Sequence, residues 1–421
     1  MLDPLPIVPF TRPACGAVAL PGSKSITNRA LVLAALSDRA VTLSNALFSE
    51  DTRLMIEALR ALGFGVETDE PARGIRIVGR GGEIPVGEAW INVGNAGTVA
   101  RFLTAFVCLR PGGVYHFTGA EAMSRRPIGA LLDALAAQGA QASSRGFPFT
   151  LRTAGLPGGE VALDASESSQ LLSALLMVAP HAQRPLRVQL KGPTVSRPFV
   201  AMTERMVAQF AAKPTEYAIE VDASAASYFL ALPLVAGGRL SLTGLRTLQS
   251  LQGDIEFVNV LRTAGLAVTG ADHGEEAWIA TGAPRRGVAA DFNAFSDTFL
   301  TLAAIAPLLD GPTRITGIAH TRRQETDRVA GMARELRRLG QEVAEEEDAL
   351  TITPRPLTPD LEIETYHDHR FAMSFAVLGC HDLRGNGLPW LRLRNPGCCA
   401  KTFPDFFEVL GQVRANAHAR P

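Results

Sequence analysis

SKSITNRALVLAAL, Ser23 to Leu36, puts a lysine between two serines and ends on seven uncharged apolar residues. The body is too apolar for a surface helix, and all its polar chemistry lies at the start. A helix start carries free N–H groups and partial positive charge, so it is a natural place for an anion. The pattern therefore predicts a buried helix whose exposed N-terminus does chemistry.

The same design recurs. GTVARFLTAFVCL runs from Gly97, SSQLLSALLMVAP from Ser168, ASAASYFLALPLVAGG from Ala223, SDTFLTLAAIAPLLDG from Ser296 and HRFAMSFAVLGC from His369. The spacing is roughly 55 to 75 residues, longer than common solenoid periods. Each copy is followed by a second helical pattern. These begin at Asp51, Arg125, Ser196, Gly253, Glu325 and Ala400. Four of the six end at a glycine leading into a short β-like run, as a C-cap glycine does. Runs such as IRIVG, RVQL and LTITP lie between helices, so the unit is mixed α/β. Six such copies predict six buried helices with exposed starts. Two facing clusters of three would bring those starts to one cleft suited to phosphates and carboxylates.

Bulk composition narrows the function classes. The 421 residues are 47% hydrophobic and 20% charged, enough for a large core in two or three domains. The formal net charge of -1 gives no expectation of nucleic acid as partner. No stretch of about 18 apolar residues could span a bilayer, and no signal-peptide pattern opens the chain. A cytoplasmic monomer with small-molecule substrates is expected, without membrane or nucleic acid. Cys15, Cys108, Cys380, Cys398 and Cys399 match neither a zinc site nor a redox pair, and reduced thiols are expected. HDH at His367–His369 has no supporting pattern for a metal, so neither metal nor other cofactor is expected.

Only four lysines occur, at 24, 191, 213 and 401, against 41 basic residues in all. Where arginine is so favoured, each lysine marks a candidate place where a compact ammonium is needed instead of a planar guanidinium.

Read in order, the motifs are LPGSKSITNRA from Leu20, VGNAGTVARF from Val93, MSRRPIG from Met123, ESSQLLSALL from Glu167 and VSRPF from Val195. They continue with EVDASAASYFL from Glu220, SDTF from Ser296, RRQETDR from Arg322, YHDHRFAM from Tyr366 and CCAKTFPDFFE from Cys398. Together they resemble the 5-enolpyruvylshikimate-3-phosphate synthases, a family of enolpyruvyl transferases, from about Leu20 to Glu408. The resemblance implies an α/β fold, a two-domain inside-out α/β barrel. Each domain has three βαβαββ-type repeats with buried helices. The first domain would be residues 22–219. The second would be 1–21 with 220–421, with a hinge near 20–22 and 219–222 and the active site between the domains.

The resemblance also implies roles. Lys24, Arg126 and Lys401 match contacts to the phosphate of phosphoenolpyruvate. Arg328 and Arg370 match its carboxylate clamp, a natural use of the bidentate guanidinium. Asn95 and Gly97 bring backbone N–H groups to this donor, and Gln170 touches both substrates. For the acceptor, shikimate 3-phosphate, Ser25 and Arg29 match the carboxylate contacts. Ser168, Ser169 and Ser196 match the phosphate contacts, and Lys24, Thr98, Asp297, His320 and Gln324 complete the set. Asp297 is assigned as base toward the acceptor hydroxyl, and Glu325 as proton relay at C3 beside Lys24. The bland reading of Arg328 is a helical i,i+3 partner of Glu325.

Three positions depart from the family pattern, all on the acceptor side. Phe199 replaces a tyrosine, His320 an asparagine and Gln324 a lysine. Enolpyruvyl transfer to another phosphorylated alcohol, such as a nucleotide, is the runner-up. UDP-N-acetylglucosamine enolpyruvyltransferase would show a lysine–asparagine pair and a reactive loop cysteine. Here Ser25 follows Lys24, and Cys108 lies in an apolar helix. A non-catalytic binding relative would have lost the charged residues.

Overall fold

The computed structural model describes residues 1–192, 194–271, 274–278 and 285–419. The chain forms two compact units, Gly22–Glu220 and Met1–Pro21 with Val221–Pro421.

In the unit Gly22–Glu220 the helices are α1 (Lys24–Leu36), α2 (Glu50–Ala61), α3 (Gly97–Val107), α4 (Gly129–Ala136), α5 (Ser169–Val178) and α6 (Arg197–Ala211). The middle repeat shows the design most fully. Strand Glu88–Asn92 leads through α3 to Pro111–Thr118, which pairs with it in parallel. Helix α4 then leads to Gln141–Ala142 and Phe149–Ala154, and the latter pairs antiparallel with Pro111–Thr118. That is one βαβαββ unit with its own four-stranded sheet. The third repeat places Gly159–Leu163 parallel to Leu186–Leu190 around α5. After α6, strand Glu216–Ala218 returns to pair in parallel with Ala40–Ser44 of the first repeat. The unit thus closes on itself.

The other unit has α7 (Ala223–Ala236), α8 (Phe257–Thr263), α9 (Phe299–Ile305), α10 (Arg328–Arg338), α11 (His369–Gly379) and α12 (Phe406–Ala419). Strands Ala14–Ala19 and Gly238–Thr243 flank α7 in parallel. Ala289–Asp291 and Thr313–Thr316 flank α9, and Leu361–Ile363 and Leu391–Leu393 flank α11. The N-terminal Leu5–Pro6 completes the last sheet. The two units therefore share a two-domain inside-out α/β architecture: each has three repeats, with helices inside.

Burial follows the apolar patterns. Every residue of α3 and of α11 is buried. From Phe299, Leu300, Phe371 and Phe375, the cores of α9 and α11 join one apolar cluster with Tyr228 and Phe229 of α7. In helices this apolar, the few polar side chains become informative.

Five helix starts differ from the sequence expectation: the Gly253 pattern begins as a 3-10 turn, Gly253–Glu256, before α8, the Ala400 pattern becomes α-helical only at Phe406, and three more differ as follows. The Ser296 copy begins as a 3-10 turn, Ser296–Thr298, before α9. The Arg125 pattern becomes α-helical only at Gly129, because Pro127 disfavours helical backbone at Arg126, which is extended. The Glu325 pattern starts at Arg328, because Asp327 is the N-cap and its carboxylate accepts from the Ala330 N–H at 2.9 Å. Glu325 therefore lies ahead of the helix.

Candidate active site

In the unit Gly22–Glu220, Lys24 is the first residue of α1 and its Nζ lies 3.4 Å from Asp51 Oδ2. One turn on, Arg29 is 1% exposed. Its Nε donates to Thr203 Oγ1 at 2.7 Å, Nη1 to the Ser25 carbonyl at 3.0 Å and Nη2 to Ser173 Oγ at 3.3 Å. The guanidinium lies over the rings of Phe102 and Phe199, 5.0 and 5.9 Å from their centroids. It forms no ion pair among the described residues. Burial without a counter-ion lowers its pKa to about 9, so it remains a cation at neutral pH.

A second group gathers at the start of α3. A Cβ on Gly97 would meet Arg126 Nη2 at 2.7 Å, Arg101 Nη1 at 2.9 Å and Gln170 Oε1 at 2.9 Å, so glycine lets these three polar ends converge there. Arg126 Nη1 donates to the Asn95 carbonyl at 2.8 Å and to Asn95 Oδ1 at 3.2 Å. Gln170 Oε1 is buried with no hydrogen-bond partner among the described residues. Thr98 Oγ1 accepts from Asn28 Nδ2 at 2.7 Å. Ser168 caps α5, with Oγ accepting from the Gln170 N–H at 3.3 Å, and Ser169 follows, buried. Ser196 caps α6 from left-handed backbone, φ +50°.

The other unit holds a denser ionic network. Arg328, 1% exposed, donates through Nε to Asp368 Oδ2 at 2.7 Å, through Nη1 to Asp297 Oδ1 at 3.1 Å and through Nη2 to Glu325 Oε2 at 2.8 Å. It also donates to Gln324 Oε1. Arg370 Nη2 donates to Asp297 Oδ2 at 2.5 Å, and Lys401 Nζ is 4.0 Å from Glu325 Oε1. Asp368 caps α11 and accepts from the Arg370 N–H at 2.9 Å. Burial pushes both guanidinium pKa values down, but the surrounding carboxylates outweigh it and hold them above the usual range. His320 Nε2 and Ser296 Oγ share a hydrogen bond of 2.9 Å. His369 is buried and held well below the usual histidine range, first by burial and then by Arg370. The carboxyl of Asp254 is raised to about 7, first by burial and then by Asp297, and it accepts a hydrogen bond from Ser224.

The expected exposure of the helix starts does not hold throughout: Arg29, Arg328 and Arg370 are buried. The two in the ionic network are paired with carboxylates, which a periodic pattern does not place. Asp368, Arg101, Asp51 and Asn28 join these clusters although no motif singles them out. Arg101 and Asn28 are visible in the sequence as polar residues inside apolar helices. Asp368 is visible as an N-cap residue before one. Cys108 is buried at the C-cap of α3, and burial pushes its thiol up to about 12, unlike a reactive loop cysteine. Among the described residues, no three His, Cys, Asp or Glu side chains gather as a metal site.

The family model for EPSP synthase (3-phosphoshikimate 1-carboxyvinyltransferase) matches residues 11–214 and 211–410. The chain belongs to the EPSP synthase family. It is 52% identical to the 3-phosphoshikimate 1-carboxyvinyltransferase of Opitutus terrae, with 99% of each chain covered. Identity to the protein of that name from Nostoc punctiforme is 42%, covering 98% of this chain and 99% of the other. Among solved structures, EPSP synthase from Acinetobacter baumannii superposes with a TM-score of 0.76 at 24% identity, over 97% of each chain. The enolpyruvyl transferase NikO from Streptomyces tendae gives 0.72 at 17%, over 96% of each. At these identities the two structures speak for the fold alone. No described helix is long and apolar enough to cross a membrane.

Proposed function

We propose that this chain transfers the enolpyruvyl group of phosphoenolpyruvate to the 5-hydroxyl of shikimate 3-phosphate, releasing 5-enolpyruvylshikimate 3-phosphate and inorganic phosphate, in aromatic amino acid biosynthesis. The observation that carries this reading is full-length identity of 52% to a relative of that name. The charge distribution supports it. Both substrates are polyanions, and the buried Arg29 and the cations Arg328, Arg370 and Lys401 offer what such ligands need.

In this reading Lys24, Arg126 and Lys401 hold the donor phosphate, and Arg328 and Arg370 its carboxylate. Asn95, Gly97 and Gln170 approach the donor, and Gln170 also meets the acceptor. Ser25 and Arg29 take the acceptor carboxylate. Ser168, Ser169 and Ser196 take its phosphate, and Thr98, His320 and Gln324 complete its pocket. As the acceptor oxygen bonds to C2 of the enol, Asp297 takes the hydroxyl proton and Glu325 delivers a proton to C3. In the tetrahedral intermediate C3 then returns a proton to Glu325, the bond between C2 and the phosphate oxygen breaks, and phosphate leaves with that bond's electron pair. Both oxygens of Asp297 accept hydrogen bonds from arginines, Oδ1 from Arg328 and Oδ2 from Arg370. Two carboxylates sharing Arg328 are coupled, and their proton-transfer roles are tied together. Lys24 is a point charge at a helix start, suited to charge developing on the donor.

Phe199 and Gln324 favour a second reading, transfer to a different phosphorylated alcohol. Phe199 lacks a hydroxyl, and Gln324 is engaged with Arg328. Supplying phosphoenolpyruvate with shikimate 3-phosphate, UMP or UDP-N-acetylglucosamine in parallel distinguishes them by phosphate release. Release with shikimate 3-phosphate is expected, and release with a nucleotide alone would overturn the assignment. A cytoplasmic monomer belongs to the same proposal. The five cysteines are free thiols, the state a reducing compartment maintains. Light scattering tests the monomer.

A further inference from the structure

Lys213 is one of only four lysines, and the proposed reaction leaves it unused. It stands at the rim of a cavity of about 310 Å³ in the unit Gly22–Glu220. The floor is apolar: Leu33 and Leu36 from the end of α1, Met177 from the end of α5, and Val207 and Phe210 from α6. α1 and α5 begin with the candidate site residues Lys24 and Ser169, and α6 begins directly after a third, Ser196. The cavity therefore lies at their opposite ends, roughly 20 Å from Lys24 along the 13 residues of α1.

The rim is polar: Ser37, Asp38 and Lys213 line it, and Arg39 adjoins it through Asp38. Lys213 Nζ lies 2.6 Å from Asp38 Oδ2, and Arg39 Nε lies 2.9 Å from Asp38 Oδ1. Two cations thus share one carboxylate, leaving one positive charge in excess. His181 forms another part of the wall, and burial holds it below the usual histidine range, so it adds no charge at neutral pH. The carbonyl ends of α1 and α6 oppose an anion, but only as partial charges. Just past the end of α6, Arg39 Nη1 donates to the Lys213 carbonyl at 3.3 Å. A well-formed apolar cavity with a few convergent polar groups is the usual form of a small-molecule site. A hydrocarbon-lined space of about half this size holds a benzene ring.

We propose that this cavity is a second ligand site, for a small apolar monoanion: an aryl-alkyl carboxylate with its ring among Leu33, Met177, Val207 and Phe210 and its carboxylate at Lys213. The site is independent of the enolpyruvyl reaction and stands or falls without it.

The test is calorimetric titration of the full chain, without substrates, using 3-phenylpropanoate. The matching alcohol and 3-phenylpropylamine serve as controls. The carboxylate is expected to bind more tightly than either. Val207→Trp is expected to abolish binding by filling the floor. Ala211→Phe, at an exposed position on the cavity wall, does the same where the first variant fails to fold. Lys213→Ala is expected to weaken the carboxylate about two- to fivefold, the worth of an exposed ion pair, and to leave the alcohol unchanged. Absence of binding at millimolar carboxylate overturns the proposal. So do equal binding of the amine, binding that survives both filling variants, and displacement of the probe by phosphoenolpyruvate with shikimate 3-phosphate.

Discussion

Arg29 and Arg328 are equally buried, yet they live in opposite electrostatic surroundings. Arg29, inside the unit Gly22–Glu220, is held by hydroxyls, carbonyls and aromatic faces and forms no ion pair among the described residues. Arg328, in the other unit, is held by Asp297, Glu325 and Asp368. A buried cation without a counter-ion carries a desolvation cost that an arriving anion relieves. A buried cation among carboxylates is already neutralised, and an anion must compete with them. One unit is thus prepared to receive negative charge. In the other, the carboxylates that pair with Arg328 include the two to which the proposed reaction assigns proton transfer.

That contrast can be broken at its strongest point first. Glu325→Gln keeps the shape of the side chain and removes its charge and its capacity to take up and deliver a proton. It is expected to lower turnover about 10²- to 10⁴-fold while the protein still folds, with some stability lost at the Arg328 pair. Steady-state kinetics and a thermal melt check this, and unchanged turnover removes Glu325 from the reaction.

The same substitution in the two units should next give opposite results. Arg328→Met leaves buried carboxylates unpaired and should cost about 3–5 kcal/mol of stability. Arg29→Met removes a charge with no carboxylate partner. It should leave stability within about 1 kcal/mol while raising KM for the acceptor. Urea unfolding measures both. Equal losses would show that the contrast has no energetic meaning.

A pH test sharpens the proton side. Asp254 lies near Asp297, Arg370 and Asp222 and accepts from Ser224. With its pKa raised to about 7, the folded chain keeps a proton there that the unfolded chain releases near the ordinary value of about 4. The folded state therefore binds more protons across that window, and this group's contribution to stability falls as pH rises from about 4 to 7. Asp254→Asn removes the fall. The variant should gain on the parent in urea midpoint between pH 5 and pH 8. A difference that does not change with pH would contradict this. The smallest expected effect is at Phe199. Restoring a hydroxyl with Phe199→Tyr should lower KM for shikimate 3-phosphate by about two- to tenfold, one added hydrogen bond.

Much of the architecture is legible in the order of the residues. Seven apolar residues after SKSITNR announce a buried helix, and the repetition of that design announces three repeats in each unit. Helical periodicity misleads at Arg126 and Glu325, because Pro127 keeps the first extended and Asp327 caps the helix after the second. The partners of the charged residues are less legible. Asp368 lies 40 residues from Arg328, and Asp51 lies 27 from Lys24. Only the folded chain brings such pairs together. The asymmetry between Arg29 and Arg328 is of this kind: both look like arginines near a helix start, and their difference lies wholly in what the fold sets around them.

Product analysis tests the central claim most directly. Purified chain given phosphoenolpyruvate and shikimate 3-phosphate should yield inorganic phosphate and an enol ether of the acceptor in equal amounts, read by phosphorus NMR and mass spectrometry. Phosphate release without that enol ether, or no release with this acceptor, would contradict the account.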